Sequence, residues 1–233
     1  MNRKAKPRRG RMLFVTGTDT GVGKTVFTGL LLHHLRTTGC HALAMKPFCS
    51  GGRADVKLLR DLQDGELSED EINPFYFPEP VAPLVSLRQR RRGVPLAEVV
   101  HQIKEISVRC ETLLIEGSGG LFVPLGEKYL VSRLIQRLRC DVLVVARNRL
   151  GTINHTLLTV SALRNLGIKR IQIVMMAGGK KDVSSATNPR ILSELCAPIP
   201  VHMVKFLGKN ASKSVVLKNT YKKVKKTLAR ISR

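Results

Sequence analysis

The sequence predicts an α/β protein whose mostly parallel, twisted sheet carries helices on both faces. Segments rich in apolar and β-branched residues alternate along the chain with segments of helical periodicity, which is the order of βαβ units. The segment 142–146 is apolar at every position, as a central strand covered on both faces must be. The expected strands are 12–16, 42–46, 112–116, 142–146, 171–176 and, with a weaker pattern, 199–204.

Three segments between these strands have apolar residues at helical spacing, namely 25–36, 95–108 and 153–166. The length of 233 residues suits one compact domain. We therefore expect a single α/β domain over 11–208, preceded by a basic tail over 1–10 and followed by a basic helix or tail over 209–233.

The net charge of +23 would by itself suggest a polyanionic partner. The longest basic runs lie at 3–11, 88–92 and 218–226, and aromatic residues make up only 4% of the chain, too few to stack on bases. We interpret most of this charge as solvated surface and expect no nucleic-acid partner.

The five cysteines show no C-x-x-C pair or metal-ligand spacing, so we expect reduced thiols and no zinc site. No segment approaches the ~18 consecutive apolar residues that span a bilayer. The first residues are charged and do not form an apolar signal segment. These features predict a cytoplasmic protein without a membrane partner.

The first expected strand leads into a glycine-rich loop, 17–25, that reads G-T-D-T-G-V-G-K-T. Such a loop turns successive backbone N–H groups towards a phosphate, and the helix that follows adds its positive end. Lys24 can then bridge the outer phosphates, and Thr25 can place its hydroxyl on Mg²⁺. The strict motif requires glycine at 18, where the chain has Thr18. A purely structural turn is the alternative, but the context favours a nucleotide-binding loop of the P-loop class.

Polar residues stand where other expected strands end, and open parallel sheets bind ligands at this edge. Lys46 ends the second strand and could neutralise charge on a transferring phosphoryl group, although a surface lysine is the alternative. Ser50 lies in the loop that follows, and Asp55 opens the next helix within reach of a metal. Glu116 ends the third strand, where an acid commonly holds Mg²⁺.

The segment 151–155 follows the expected central strand and begins a helix. The free N–H groups of such a helix start can bind a carboxylate. We assign no catalytic role to His155.

With these residues in place, the chain resembles the dethiobiotin synthetases, which are ATP-dependent enzymes of biotin synthesis. The glycine-rich loop matches the family's G-T-D-T-x-V-G-K-T motif, which accounts for the shifted glycine. Four further segments match in order: K-P-x-x-S-G at 46–51, N-P-[FY] with F-x-E-P at 73–80, E-G-[AS]-G-G at 116–120 and L-G-x-I-N-H at 150–155.

The resemblance implies a homodimer that uses ATP and Mg²⁺ to close a ureido ring from 7,8-diaminononanoate and CO₂ or bicarbonate. It implies that Lys46 is catalytic and that Thr25, Asp55 and Glu116 hold Mg²⁺. The residues implied in nucleotide binding are Gly21, Val22, Gly23, Lys24, Thr25, Val26, Asp55, Glu116, Gly117, Ser118 and Gly119. Those implied in substrate binding are Ser50 and, across the dimer interface, Gly151, Thr152, Ile153 and Asn154.

The chain also departs from the family pattern. Met175, Met176, Ala177 and Gly178 stand where the family has an adenine-reading asparagine, and the late G-x-x-P segment is replaced by 201–204, so the base preference is open. Two alternatives follow: a partition or septum-site ATPase that acts as a dimerising switch on DNA or membrane, and a nucleotide-binding remnant without turnover. The former usually carries a second lysine early in the loop, where this chain has Thr18 and Asp19.

Overall fold

The computed structural model describes residues 10–179, 182–208 and 210–233. Its strands are β1 (Arg11–Gly17), β2 (Ala42–Met45), β3 (Phe48–Ser50), β4 (Phe75–Phe77), β5 (Thr112–Gly120), β6 (Pro124–Gly126), β7 (Tyr129–Leu130), β8 (Asp141–Asn148), β9 (Ile171–Ala177) and β10 (Val201–Val204). Its helices are α1 (Lys24–Thr37), α2 (Ala54–Leu62), α3 (Glu69–Ile72), α4 (Pro83–Gln89), α5 (Leu96–Ser107), α6 (Val131–Leu138), α7 (Thr152–Asn165), α8 (Asn188–Leu195), α9 (Ser214–Thr220) and α10 (Lys225–Ile231).

Six strands form one sheet in the order β10-β9-β8-β1-β5-β2, and every neighbouring pair is parallel. This arrangement confirms the predicted fold class, and each of the six expected strands is present. The apolar segment 142–146 lies inside β8 and is buried throughout, because helices cover both faces of the sheet there. The phosphate loop follows β1, which lies between β8 and β5.

Two short pairings lie outside the main sheet and were not predicted. Strands β3 and β4 pair in parallel, and β6 and β7 form an antiparallel pair. Both are only two or three residues long, too short to produce a periodic pattern in the sequence. The expected second strand also ends one residue early, at Met45, so Lys46 lies just beyond the strand.

The C-terminal segment packs against α1. Leu217, Tyr221 and Leu228 are buried in the same apolar core as the sheet, and the Tyr221 hydroxyl lies 2.7 Å from His34 Nδ1 on α1. The division into a domain over 11–208 and flanking segments stays a prediction. Over 210–233, however, the structure shows two helices that complete the core, and the expectation of a peripheral segment missed this burial. Most of the basic tail over 1–10 lies outside the described residues.

None of the described helices has the length and apolarity that crossing a membrane requires. The five cysteines lie in the described part of the chain and are free, as the sequence predicts. Among the described residues no cluster of three histidine, cysteine or acidic side chains forms a metal site.

Candidate active site

The phosphate loop curls at the carboxyl end of β1 and leads directly into α1. Gly23 has φ 100° immediately before the helix, a left-handed conformation that side chains other than glycine rarely adopt. Gly17 is required for space, because a Cβ there would lie 2.7 Å from the Asp19 carbonyl oxygen and 2.9 Å from Lys24 Nζ. This crowding gives a physical reason for glycine at 17, while Thr18 donates its backbone N–H to Val145.

A buried polar cluster lies beside this loop. Lys46 Nζ donates to Glu116 Oε1 over 2.8 Å and also to Asp55 Oδ2. The Thr25 hydroxyl donates to the same Glu116 oxygen over 2.7 Å. The Glu116 side chain has no exposed surface, and that of Lys46 is 10% exposed. The structure therefore brings the middle of β5, the residue after β2, the first turn of α1 and the first turn of α2 to one point. The sequence predicted a strand that ends at Glu116, but β5 continues to Gly120.

The two lysines of the site differ in their proton affinity. Burial lowers the pKa of Lys24 to about 8, and the negative charge of Glu116 only partly offsets this effect. Burial also disfavours charge on Lys46, but Glu116 and Asp55 outweigh it and raise the pKa of Lys46 above the ordinary lysine value. Lys46 is therefore charged before any ligand arrives.

An open cleft of about 590 Å³ joins the loop and the cluster. Most of the predicted nucleotide and substrate residues line it: Gly21, Gly23, Lys24, Thr25, Val26, Lys46, Ser50, Asp55, Glu116, Gly117, Ser118 and Gly119. Val22 is buried beneath the loop and does not line the cleft. The Ser118 hydroxyl donates to the Phe48 carbonyl, which ties the last part of β5 to β3.

The donor set of the cluster fits a magnesium ion. Glu116 Oε2 is buried without a hydrogen-bond partner among the described atoms, which is costly for a carboxylate oxygen. Thr25 and Asp55 add a hydroxyl and a second carboxylate, and oxygen ligands of this kind are those Mg²⁺ prefers. Mg²⁺ usually keeps several waters and takes only one or two carboxylates, so the absence of a three-acid cluster among the described residues is consistent with this fit.

The predicted substrate residues Gly151, Thr152, Ile153 and Asn154 do not line this cleft. They begin α7, where Gly151 has φ 88° and the Thr152 hydroxyl is buried without a partner among the described atoms. Leu150, just before them, is 81% exposed. Within one chain, then, this helix start lies outside the cleft.

The end of β9, where the family resemblance led us to expect an adenine-reading residue, contacts the phosphate loop. Met176 packs on Gly23, with its Cγ 3.3 Å from the point a Cβ on Gly23 would occupy. Phe206, on the segment after β10, packs against Gly179 in the same way. The described side chains from 175 to 179 are apolar or absent, so they offer no paired hydrogen bonds to a base edge.

Sequence reasoning missed some residues of the site. Pro80 and Pro83 line the cleft opposite the phosphate loop, and Ser212 reaches it from the segment before α9. The F-x-E-P motif at 77–80 was a signal for Pro80, whereas nothing local distinguishes Ser212 in the sequence. Asn73, in the matched N-P-[FY] motif, bonds to the backbone beside Lys46, a contact that the motif alone does not indicate.

Comparison with known proteins agrees with this geometry. A family model described as an AAA domain matches residues 11–208. The ATP-dependent dethiobiotin synthetase BioD of Bacillus subtilis strain 168 is 39% identical over 213 residues, which is 89% of this chain and 92% of the relative. The protein of the same name from Anaeromyxobacter sp. strain K is 40% identical over 83% of this chain and 89% of its own length.

Solved structures show the same fold at much lower identity. The septum site-determining protein MinD of Pyrococcus horikoshii, solved with Mg-ADP, superposes with a TM-score of 0.63 at 15% identity and 94% coverage of each chain. A ParA family ATPase from Chlorobium tepidum gives a TM-score of 0.57 at 14% identity, covering 95% of this chain and 97% of that one. The curated relatives decide the family, and several of its motifs meet at the cleft: this chain belongs to the ATP-dependent dethiobiotin synthetases.

Proposed function

We propose that this chain closes the ureido ring of dethiobiotin from 7,8-diaminononanoate, CO₂ and ATP. Family membership makes it an ATP-dependent ligase of biotin synthesis; the individual chemical steps and the roles of individual residues are our proposals. The observation that carries them is the buried contact of Lys46 with Glu116 and Asp55 beside the phosphate loop.

The reaction needs three changes of bonding. One amine of the substrate adds to CO₂ and releases a proton, which gives a carbamate. A carbamate oxygen then takes the γ-phosphoryl group, with cleavage of the bond to the β-phosphate and release of ADP. The second amine attacks the carbamate carbon, expels phosphate and loses a proton, which closes the ring. Each step moves negative charge between oxygens and requires little covalent chemistry from the protein.

Lys46 is suited to the charge that these steps develop. Its ammonium is fixed by two carboxylates and lies in the same cleft as Lys24, so it can stabilise the carbamate and the transferring phosphoryl group without reorganising. Ser50 lies on β3 beside it, and its buried hydroxyl has no partner among the described atoms, which leaves it available to the substrate. Positioning of this kind supplies most of the rate in phosphoryl transfer.

The phosphate loop supplies the nucleotide site. Backbone N–H groups over 21–26 and the start of α1 would hold the β- and γ-phosphates, and Lys24 would turn from the Asp19 carbonyl to them. Mg²⁺, which Thr25, Asp55 and Glu116 would hold, would neutralise charge on the phosphates.

A homodimer would complete the substrate site. The start of α7 lies outside the cleft of its own chain, and the apolar side chains of Leu150 and Leu158 there are 81% and 62% exposed. Exposed apolar residues of this size favour burial against another surface. A second copy would cover them and bring its own N–H groups over 151–154 to the substrate carboxylate.

Mixing two inactive variants tests this arrangement. Lys46→Ala removes the catalytic lysine, and Gly151→Val cannot adopt the φ of 88° at the helix start. A heterodimer of the two contains one site with both elements intact, so mixing should restore part of the diamine-dependent phosphate release. No recovery in a mixture shown by light scattering to contain dimers would contradict a shared site.

The alternative of a partition or septum-site ATPase rests on fold alone, because those structures are about 15% identical to this chain. Phosphate release should depend on the diamine and bicarbonate and should not respond to DNA. Turnover stimulated by DNA in the absence of diamine would favour the switch.

A further inference from the structure

Asn73 lies between α3 and β4, where its side chain is fully enclosed by backbone. It is 1% exposed, and its Nδ2 donates to the carbonyl oxygens of Lys46 at 3.0 Å and Pro47 at 3.2 Å. The carbonyl of Phe75 lies at 3.4 Å from the same nitrogen. One amide group thus joins the backbone that carries Lys46 to a segment about 27 residues further along the chain.

Backbone bonds on either side reinforce this junction. The Lys46 N–H donates to Ile72, the last residue of α3, over 2.8 Å, and the Phe75 N–H donates to Pro47 over 3.0 Å. The β3–β4 ladder continues from there, and the rings of Phe48 and Phe75 stack with centroids 5.0 Å apart. Asn73 therefore lies where the segment after β2 and the segment after α3 begin to pair.

The Lys46 backbone depends on these hydrogen bonds because it lies outside the main sheet. Strand β2 ends at Met45 and is an edge strand of its sheet, so no ladder beyond it holds the Lys46 backbone. Proline at 47 has no N–H and therefore donates no backbone hydrogen bond. Yet the Lys46 ammonium must reach Glu116 on β5 and Asp55 on α2 together.

The chemistry of the junction requires an amide. Its acceptor atom, Asn73 Oδ1, is buried without a partner among the described atoms, so this side chain serves as a donor only. A buried acceptor without a partner is unfavourable, which indicates that the donor bonds outweigh it. Aspartate would lose both donors and place negative charge against carbonyl oxygens.

We propose that Asn73 is a positioning residue for the catalytic reaction: it fixes the backbone of Lys46 so that the ammonium meets the reacting phosphoryl and carbamate oxygens. This inference rests on the role proposed above for Lys46. Asn73 does not line the cleft, so its effect on the reaction would pass through Lys46.

The chain contains a matched control in Gln63. This amide is also fully buried, and it accepts from the Ala44 N–H over 2.9 Å while donating to the Ala44 carbonyl over 3.3 Å. It clamps the same strand two residues before Lys46, within the regular part of β2. Asn73→Ala and Gln63→Ala thus remove similar buried bonds, but only Asn73→Ala removes bonds to the backbone of Lys46 and Pro47.

Steady-state kinetics of the full-length enzyme separate the two roles. Asn73→Ala should lower kcat by about 100-fold, the loss typical of a misplacement near 1 Å, while the KM for ATP changes by less than about twofold. Both variants should lower the melting temperature by similar amounts, because each loses buried hydrogen bonds. Gln63→Ala, however, should leave kcat within about twofold of the parent. If Asn73→Ala does not fold, Asn73→Ser retains one donor and should show an intermediate kcat.

A double-mutant cycle tests whether Asn73 acts through Lys46. In a Lys46→Ala background, Asn73→Ala should no longer change the residual diamine-dependent turnover, because the group that it positions is gone. Equal kcat losses in the Asn73 and Gln63 variants, or an undiminished Asn73 effect in that background, would overturn the inference. Full turnover by Lys46→Ala alone would instead contradict the proposed function.

Discussion

The two lysines that face the cleft show how differently one fold can hold two positive charges. Lys24 is buried at the start of α1, its ammonium donates to the Asp19 carbonyl, and burial lowers its pKa to about 8. Lys46 is equally buried but contacts two carboxylates, which raise its pKa above the ordinary value. Among the described residues no carboxylate bonds to the Lys24 ammonium, so a phosphate can supply its partner, whereas Lys46 is a fixed charge ready for the reaction itself.

The largest effect should come from removing the fixed charge. Lys46→Ala should lower diamine-dependent turnover by about 1,000-fold, because one preorganised donor at the reacting oxygens is lost. Nucleotide affinity, measured by calorimetry, should change little, since Lys24 and the loop remain. A loss of ATP affinity as large as the loss of turnover would show that the two lysines have the same role.

Removal of the acid that contacts Lys46 should act on the metal as well. Glu116→Gln should lower kcat by about 100-fold and raise the Mg²⁺ concentration for half-maximal rate about tenfold, because it weakens a proposed metal ligand and the partner of Lys46. A Mg²⁺ titration of the rate measures this change. The matched control is Glu127→Gln, whose exposed side chain pairs with Arg88 at the surface.

The pH dependence of nucleotide binding should follow Lys24. Its pKa in the free protein is about 8, and a bound phosphate favours the charged form, so binding raises that pKa. Affinity should therefore be greatest below pH 8 and fall by up to about tenfold per unit above it, with uptake of a proton. Calorimetry in buffers of different ionisation enthalpy measures this proton, and Lys24→Met should abolish its uptake. A pH-independent affinity between 7 and about 9.5 would contradict the contrast between the lysines.

The smallest effect should come from changing the base of the nucleotide. The described residues at the end of β9 give no side-chain hydrogen bonds to a base edge, and Met176 offers only an apolar contact. ATP, CTP and GTP should therefore support turnover with kcat/KM values within about tenfold of one another, the range of discrimination that a simple apolar pocket gives. A preference for ATP above about 1,000-fold would show that backbone groups or other residues read adenine.

Much of the fold follows directly from the sequence. The segment 142–146 is apolar throughout because it is a doubly covered strand, and residues 17–25 predict the turn from strand to helix. The C-terminal helices were less evident, because Leu217 and Leu228 stand among lysines that dominate the local pattern. Their burial becomes clear only once α1 provides the surface against which they pack.

The site was predictable where it depends on strand ends. Lys46 directly follows β2 and Glu116 lies on the neighbouring strand β5, so their approach follows from the strand order. The contact of Asp55 with Lys46 depends on the path of the intervening loop, which no local pattern specifies. The role of Asn73 was hidden for a similar reason, since its partners lie 26 and 27 residues earlier in the chain.

The central claim is that Lys46, held by Glu116 and Asp55, serves an ATP-dependent ring closure. Its most direct test is phosphate release by the parent protein and by Lys46→Ala, each with ATP and Mg²⁺, with and without 7,8-diaminononanoate and bicarbonate. We predict release by the parent only when both substrates are present, formation of dethiobiotin in equal amount by mass spectrometry, and about 1,000-fold slower formation of both products by Lys46→Ala. Phosphate release that is independent of the diamine, or that continues at the parent's rate in Lys46→Ala, would contradict this role.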